Sequence, residues 1–201
     1  MTSSIQKSIF TLFTVILSSA FLSGQEVTKE TPGGYTHDGF FLRLQPGLGY
    51  AAFVEKASSG ADQTIGDLGI SGCLQIGGTL DDNFILCGEL SSVAVGDLEE
   101  AGDDDFTVLG AGAGLSYYIM PQNFYLSCSL LFINGDREKD GRRVNTSGFG
   151  SRVSLGKEWW VSENWGIGIA LVGHIDYKKL ADTDHNAFSY YTGLALSATY
   201  N

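Results

Sequence analysis

The sequence predicts an all-β chain, an eight-stranded antiparallel transmembrane β-barrel of up-and-down topology behind an export signal. Three observations carry that expectation. Eight stretches alternate large apolar residues with small ones at a period of two. The connections between them alternate short and long, and aromatic residues gather at their ends.

Composition narrows the field first. Of 201 residues, 12% are aromatic and 17% charged, too much of the first and too little of the second for a disordered or coiled-coil chain. Beyond residue 24 no stretch reaches the roughly 20 apolar residues of a membrane helix. The formal charge of −11, from 23 Asp and Glu against 12 Lys and Arg, argues against nucleic acid as a partner, because that contact needs a basic face.

Residues 1–24 carry Lys7 as their one charge, an apolar run over 9–17, and small residues at Ser18, Ser19 and Ala20. This pattern predicts a secretory signal cleaved after Ala20 or after Gly24. Its apolar core is shorter than a retained helical anchor requires. Residues 25–38 are then a short periplasmic lead, and 39–201 the barrel domain.

The expected strands are 40–53, 68–80, 84–95, 106–119, 124–133, 147–160, 165–177 and 187–200. In the first, Phe40, Leu42, Leu44, Leu48, Tyr50 and Ala52 share one face and Arg43, Gln45, Gly47, Gly49 and Ala51 the other. Pro46 interrupts this strand, since proline donates no ladder hydrogen bond, and a bulge there would flip the facing on one side of it. The second opposes Leu68, Ile70, Leu74, Ile76 and Leu80 to Gly69, Ser71, Cys73, Gln75 and Gly77. The third sets Phe84, Leu86 and Leu90 against Cys87, Glu89 and Ser91, and the fourth sets Leu109 to Ile119 at odd positions against Gly110, Gly112, Gly114, Ser116 and Tyr118.

The fifth strand has Phe124, Leu126, Cys128, Leu130 and Phe132 opposite Tyr125, Ser127 and Ser129. The sixth has Phe149, Val153, Leu155 and Trp159 opposite Gly150, Arg152, Ser154, Gly156 and Glu158. The seventh has Trp165, Ile167, Ile169, Leu171, Ile175 and Tyr177 opposite Gly166, Gly168, Ala170, His174 and Asp176. The eighth has Phe188, Tyr190, Leu194, Leu196, Ala198 and Tyr200 opposite Ser189, Tyr191, Gly193, Ala195, Ser197 and Thr199. A large apolar face paired with a face of Gly, Ala, Ser and a few charges inverts the pattern of a soluble barrel, whose bulky side chains fill the inside. In lipid the outside must be apolar, and a narrow eight-stranded interior favours small residues.

Tight turns at 81–83, 120–123 and 161–164 alternate with longer connections at 54–67, 96–105, 134–146 and 178–186, as expected of short periplasmic turns and longer outer loops. Phe84, Tyr117, Phe124, Trp159, Trp165 and Tyr200 are expected at the periplasmic rim, with Trp159 and Trp165 paired across their turn. Tyr50, Phe106, Phe149, Tyr177, Phe188 and Tyr190 are expected at the outer rim. Within these strand limits the charges are Arg43, Glu89, Arg152, Lys157, Glu158 and Asp176. Lys157 has lipid-facing parity near a strand end, where it can snorkel to headgroups. The cysteines Cys73, Cys87 and Cys128 lack metal-ligand spacing. A hairpin centred on Asp82 places Cys73 opposite Ser91 and Cys87 opposite Gly77, out of reach of a disulfide.

The runs Tyr117-Tyr118-Ile119-Met120-Pro121-Gln122-Asn123-Phe124-Tyr125-Leu126 and Gly156-Lys157-Glu158-Trp159-Trp160-Val161-Ser162-Glu163-Asn164-Trp165-Gly166 resemble two turns of small bacterial outer-membrane barrels of the OmpA/OmpX-like type. The last strand, with Gly193, Leu196, Ala198 and Tyr200 followed by Asn201, is similar to the carboxy-terminal signal read by the barrel-insertion machinery. The resemblance spans about residues 39–201. It implies an outer-membrane location, contact with outer-membrane lipid and lipopolysaccharide, and insertion by that machinery. It implies no activity.

The candidate site is the inward polar set Arg43, Glu89, Arg152, Glu158, His174 and Asp176. Such a set either gates a narrow pore or pairs into a structural network that offsets desolvation, and its near balance of charge favours the network. His185 lies near Ser189, but the spacing differs from the His-x-Ser of lipid A deacylases and no supporting acid is identifiable; His174 with Asp176 suits an orienting pair, and His37 lies in the lead. No catalytic residue, metal ligand or cofactor is therefore expected. Asp97, Glu99, Glu100, Asp103, Asp104 and Asp105 form an acidic loop run without EF-hand spacing, and Arg137, Lys139, Arg142 and Arg143 a basic one that suits anionic headgroups. Both are expected as solvated loop tips, open to an extracellular ligand. The function expected is a structural or surface-interaction role through the loops around a largely plugged lumen. A narrow pore is the alternative and a lipid-modifying enzyme the second.

Overall fold

The computed structural model describes residues 37, 39–55, 63–81, 83–95, 106–139, 142–180 and 186–201. The expected export signal at 1–24, the acidic run at 97–105 and His185 lie outside the described residues. Eight strands follow one another: β1 (Phe40–Glu55), β2 (Gln63–Asp81), β3 (Phe84–Val95), β4 (Phe106–Ile119), β5 (Phe124–Lys139), β6 (Arg142–Trp160), β7 (Trp165–Leu180) and β8 (Asn186–Tyr200). Each pairs antiparallel with its neighbours in sequence, and β8 returns to β1, closing an up-and-down barrel. Closure gives the backbone polar groups of every strand a partner, the condition for a sheet to stand in lipid.

Side-chain facing follows the period-two reading. Leu130 is 73% exposed on the outside, and Phe132 and Phe149 are each 66% exposed. Alternate residues on the same strands, such as Leu131 and Ser129, are buried inside. The large exposed hydrophobics, including Leu90, Leu109, Leu126, Leu155, Ile169, Leu171 and Leu194, form a belt that water solvates poorly and lipid solvates well. Lys157 stays at the edge of this belt, its Nζ 4.5 Å from the Phe124 ring centre and donating to the Gln122 carbonyl at 2.7 Å.

Register explains much of the glycine. In a narrow barrel an inward Cβ runs into the next strand: one added at Gly112 meets the Leu130 carbonyl of β5, and one at Gly49 meets the Thr192 carbonyl of β8. The hairpin register about Asp82 is as expected, with Cys73 opposite Ser91 and Gly77 opposite Cys87. All three cysteines are free, Cys128 on the exposed face. Pro46 lies opposite Gly72 with no shift of register, and the ladder to β8 has the same register on both sides of it, from Leu44↔Ala198 to Gly47↔Ala195. No facing is flipped in β1.

Several expectations are corrected. β2, β5, β6 and β7 run beyond the expected limits, so most of 134–146 is ladder, with Glu138↔Arg143 and Lys139↔Arg142 as register partners. Charges at Asp67, Asp136, Arg137, Lys139, Arg142, Arg143 and Lys178 therefore lie within strands. Ladder pairing needs backbone partners and not apolar side chains, so the strands continue where the apolar alternation stops. Phe106 is not in the outer girdle. It is 3% exposed inside the barrel, its ring centre 5.9 Å from that of Phe53, because parity runs unbroken from Tyr118 through Val108.

Trp159 does not pair with Trp165. The register sets Trp159 opposite Ile167, and Trp165 meets Tyr200 edge-on at 5.3 Å between ring centres. The inner face is also less uniformly small than expected, since Phe41, Phe53, Ile85, Leu131, Ile133 and Val172 are buried there. The other girdle aromatics stand outward: Phe84, Tyr117, Phe124, Trp159, Tyr50, Phe149 and Tyr177 are exposed, and Trp165, Tyr200, Phe188 and Tyr190 are half-buried.

If the belt faces lipid, Leu155→Arg, an outward position 54% exposed about midway between the girdle residues Phe149 and Trp159 of β6, lowers stability in phospholipid vesicles by about 2–4 kcal/mol. Urea titration of the folded barrel measures this, and an unchanged midpoint contradicts it.

Candidate functional site

The inward residues form two polar clusters. The larger lies toward the end that carries the tight turns and is organised on Arg43 of β1, whose side chain is fully buried. A guanidinium cannot shed its charge, so its five N–H donors must be matched where it sits. Its Nε lies 3.4 Å from Glu158 Oε1 and donates to Thr199 Oγ1 at 3.3 Å. Its Nη1 donates to Gln75 Oε1 at 3.1 Å and to Ser116 Oγ at 3.4 Å, and its Nη2 donates to the Tyr118 hydroxyl. Rings close the remaining directions, with the Arg43 Cζ 3.9 Å from the centre of Tyr125, 4.9 Å from Phe41 and 5.4 Å from Tyr118. These are cation–π distances.

From Arg43 the network spreads around the barrel. Tyr118 donates to Glu158 Oε2 at 2.9 Å, and Thr199 to Glu158 Oε1 at 2.6 Å. Gln75 Nε2 donates to Glu89 Oε2 at 2.7 Å and to Ser127 Oγ at 3.1 Å, and Ser129 also donates to Glu89. Arg152 lies 3.9 Å from Glu89 Oε1, a loose ion pair, and donates to Gln45 Oε1 at 3.0 Å. Gln45 in turn donates to the Tyr125 hydroxyl at 2.6 Å. Four of the six expected inward residues, Arg43, Glu89, Arg152 and Glu158, thus belong to one connected set.

The other two, His174 and Asp176, sit apart toward the long-loop end of β7. His174 Nε2 lies 2.9 Å from Asp176 Oδ1 without hydrogen-bond alignment, so the two make a close contact and not a directed bond. Lys178, placed by the sequence reading in a loop, is 1% exposed; its Nζ is 3.6 Å from Asp176 Oδ2 and donates to Ser189 Oγ at 2.8 Å. Ser189 donates to Asp176 Oδ2 at 2.8 Å. This cluster holds a serine, an acid and a histidine, but the carboxylate stands in the middle. Serine gives its proton to Asp176 and no imidazole is placed to take it, which is not the order a nucleophile needs. Apolar inward residues, among them Val93, Val108, Leu131, Ile133 and Val172, are buried inside the barrel as well.

Sequence reasoning ranked charges and so passed over the neutral partners Gln45, Gln75, Tyr118, Tyr125 and Thr199, although period two puts each on the inward face. His37 carried no signal at all. It is fully buried at the tight-turn mouth, stacked on Tyr118 at 3.6 Å between ring centres. Among the described residues no group of three or more His, Cys, Asp or Glu is arranged to hold a metal ion.

The fold is similar to that of a solved surface protein. Neisserial surface protein A superposes with a TM-score of 0.51 at 15% identity, covering 81% of this chain and 96% of that one. Ail, the attachment invasion locus protein of Yersinia pestis, gives a TM-score of 0.43 at 16% identity, covering 80% and 99%. No family model and no curated protein sequence matches the chain. The architecture is that of the small OmpA/OmpX-like barrels which the turn motifs resemble.

Removing Arg43 leaves Glu158 buried without its cation. Arg43→Ala is expected to cost about 3–5 kcal/mol, and Arg43→Met with Glu158→Gln much less than the sum of the two single changes. Urea unfolding in vesicles of the four members of this cycle checks it, and additive losses contradict the pairing.

Proposed function

We propose that this protein is an integral barrel of the bacterial outer membrane, exported behind a cleavable signal, with a closed lumen and a working surface at the long-loop end. The apolar belt is then bathed by outer-membrane lipid and lipopolysaccharide, the tight turns face the periplasm, and the barrel-insertion machinery reads β8. Its role is structural or one of surface interaction, without catalysis, and the extracellular partner meets the loops.

The observation that carries this reading is the saturation of Arg43. A pore uses a charged constriction whose groups remain hydrated and can exchange partners with a passing ion. Here the guanidinium is fully buried, bonded to side chains of β2, β4 and β8, ion-paired with Glu158 of β6 and stacked on Tyr125 of β5. Opening a path past it means breaking several buried polar contacts together, each costly to leave unmade. The Ser189, Asp176 and His174 cluster favours no enzymatic reading, for the geometric reason given above.

Purified protein reconstituted in a planar bilayer tests the closed lumen. The expected record is silent, and stable ohmic steps that scale with salt contradict it. Under the same reading, Arg43→Ala admits water and gives intermittent conductance.

A further inference from the structure

His37, three residues before β1, lies inside the barrel. His37 is fully buried, and its Nε2 lies 2.8 Å from Asn123 Oδ1 across 86 residues of sequence. Its ring stacks on Tyr118 at 3.6 Å and 25° between planes, and stands 5.1 Å from Trp160. Tyr118, like Thr199, bonds both Arg43 and Glu158, so the imidazole lies directly against the Arg43 network. The receptor is built by two strand ends and a turn. Tyr118 comes from β4, Trp160 from β6, and Asn123 from the turn between β4 and β5. Asn123 adopts φ +58°, the left-handed region that asparagine tolerates, while its carbonyl oxygen accepts from the Glu158 backbone N–H at 3.0 Å. The turn is therefore tied to β6, and its side chain is held where it meets the imidazole.

We infer that the periplasmic mouth of this barrel is a docking site for His37, which acts as its plug. His37 closes that end of the lumen in series with Arg43, and its withdrawal, not a movement of strands, is the step that would uncover the Arg43, Tyr118 and Glu158 contacts to water. Three contacts of different kinds support this: a hydrogen bond, a ring stack and a tilted aromatic contact. A tail that merely passed the rim would leave its side chain in solvent. Placing this mouth in the periplasm rests on the outer-membrane reading; the docking itself does not.

Diethyl pyrocarbonate, which acylates accessible imidazoles, tests it on the intact chain folded in lipid, with His37, His174 and His185 followed separately by peptide mass mapping. His37 is expected to react at least about tenfold more slowly than in urea-unfolded protein, as for a group exposed through local opening. Asn123→Gly, which keeps the left-handed turn and removes the acceptor, is expected to raise the His37 rate by about threefold or more while the His174 rate holds. Reaction of His37 at the unfolded rate in a folded barrel overturns the plug and leaves the closed-lumen reading to its conductance test. A protected His37 in a protein that conducts upholds the docking and overturns the closed lumen. An unchanged His37 rate in Asn123→Gly overturns Asn123 as the anchor.

Discussion

A permanently charged guanidinium buried inside a closed barrel is the constraint on which the interior depends. Arg43 cannot neutralise itself, so the chain must bring partners to it from across the lumen, and the partners available are those that strand register delivers. Glu158 arrives from β6, Tyr118 and Ser116 from β4, Gln75 from β2, Thr199 from β8 and Tyr125 from β5. A register slip of one residue in any of these strands would turn its partner outward. The network therefore specifies the register as well as filling the lumen.

The exterior follows from a different requirement. Lipid offers no hydrogen bonds, so the backbone is satisfied by closure and the outward side chains are apolar. Curvature then links the two sides. Eight strands enclose a narrow space in which Gly112 and Gly49 stand against neighbouring carbonyls, and glycine at such points leaves room for the long side chains of Arg43, Arg152 and Glu158 elsewhere. The glycine, the oily outside and the polar inside are consequences of one geometry.

Most of this architecture was legible in the sequence because period two reports side-chain facing directly. Strands β3 and β4 have the limits that alternation suggested, and the hairpin about Asp82 has the register that its turn implied. The errors share a cause. Alternation marks where strands touch lipid, whereas pairing continues into charged segments such as residues 142–146, so the strands reach beyond the alternating stretches. Phe106 was assigned by residue type instead of parity, and parity decides. Within the site, charge drew attention to Arg43, Glu89 and Glu158, but the side chains that link them, Tyr118, Gln75 and Thr199, are neutral and become visible only when the barrel closes. His37 lies before the first strand, where no periodicity reaches.

The central claim is that Arg43 is walled off from water. Proton exchange of its guanidinium with bulk water, followed by solid-state NMR in lipid bilayers, tests it most directly. Arg43 Nη protons are expected to exchange far more slowly in the folded barrel than in urea-unfolded protein. Exchange at the unfolded rate would mean a hydrated lumen and would contradict it.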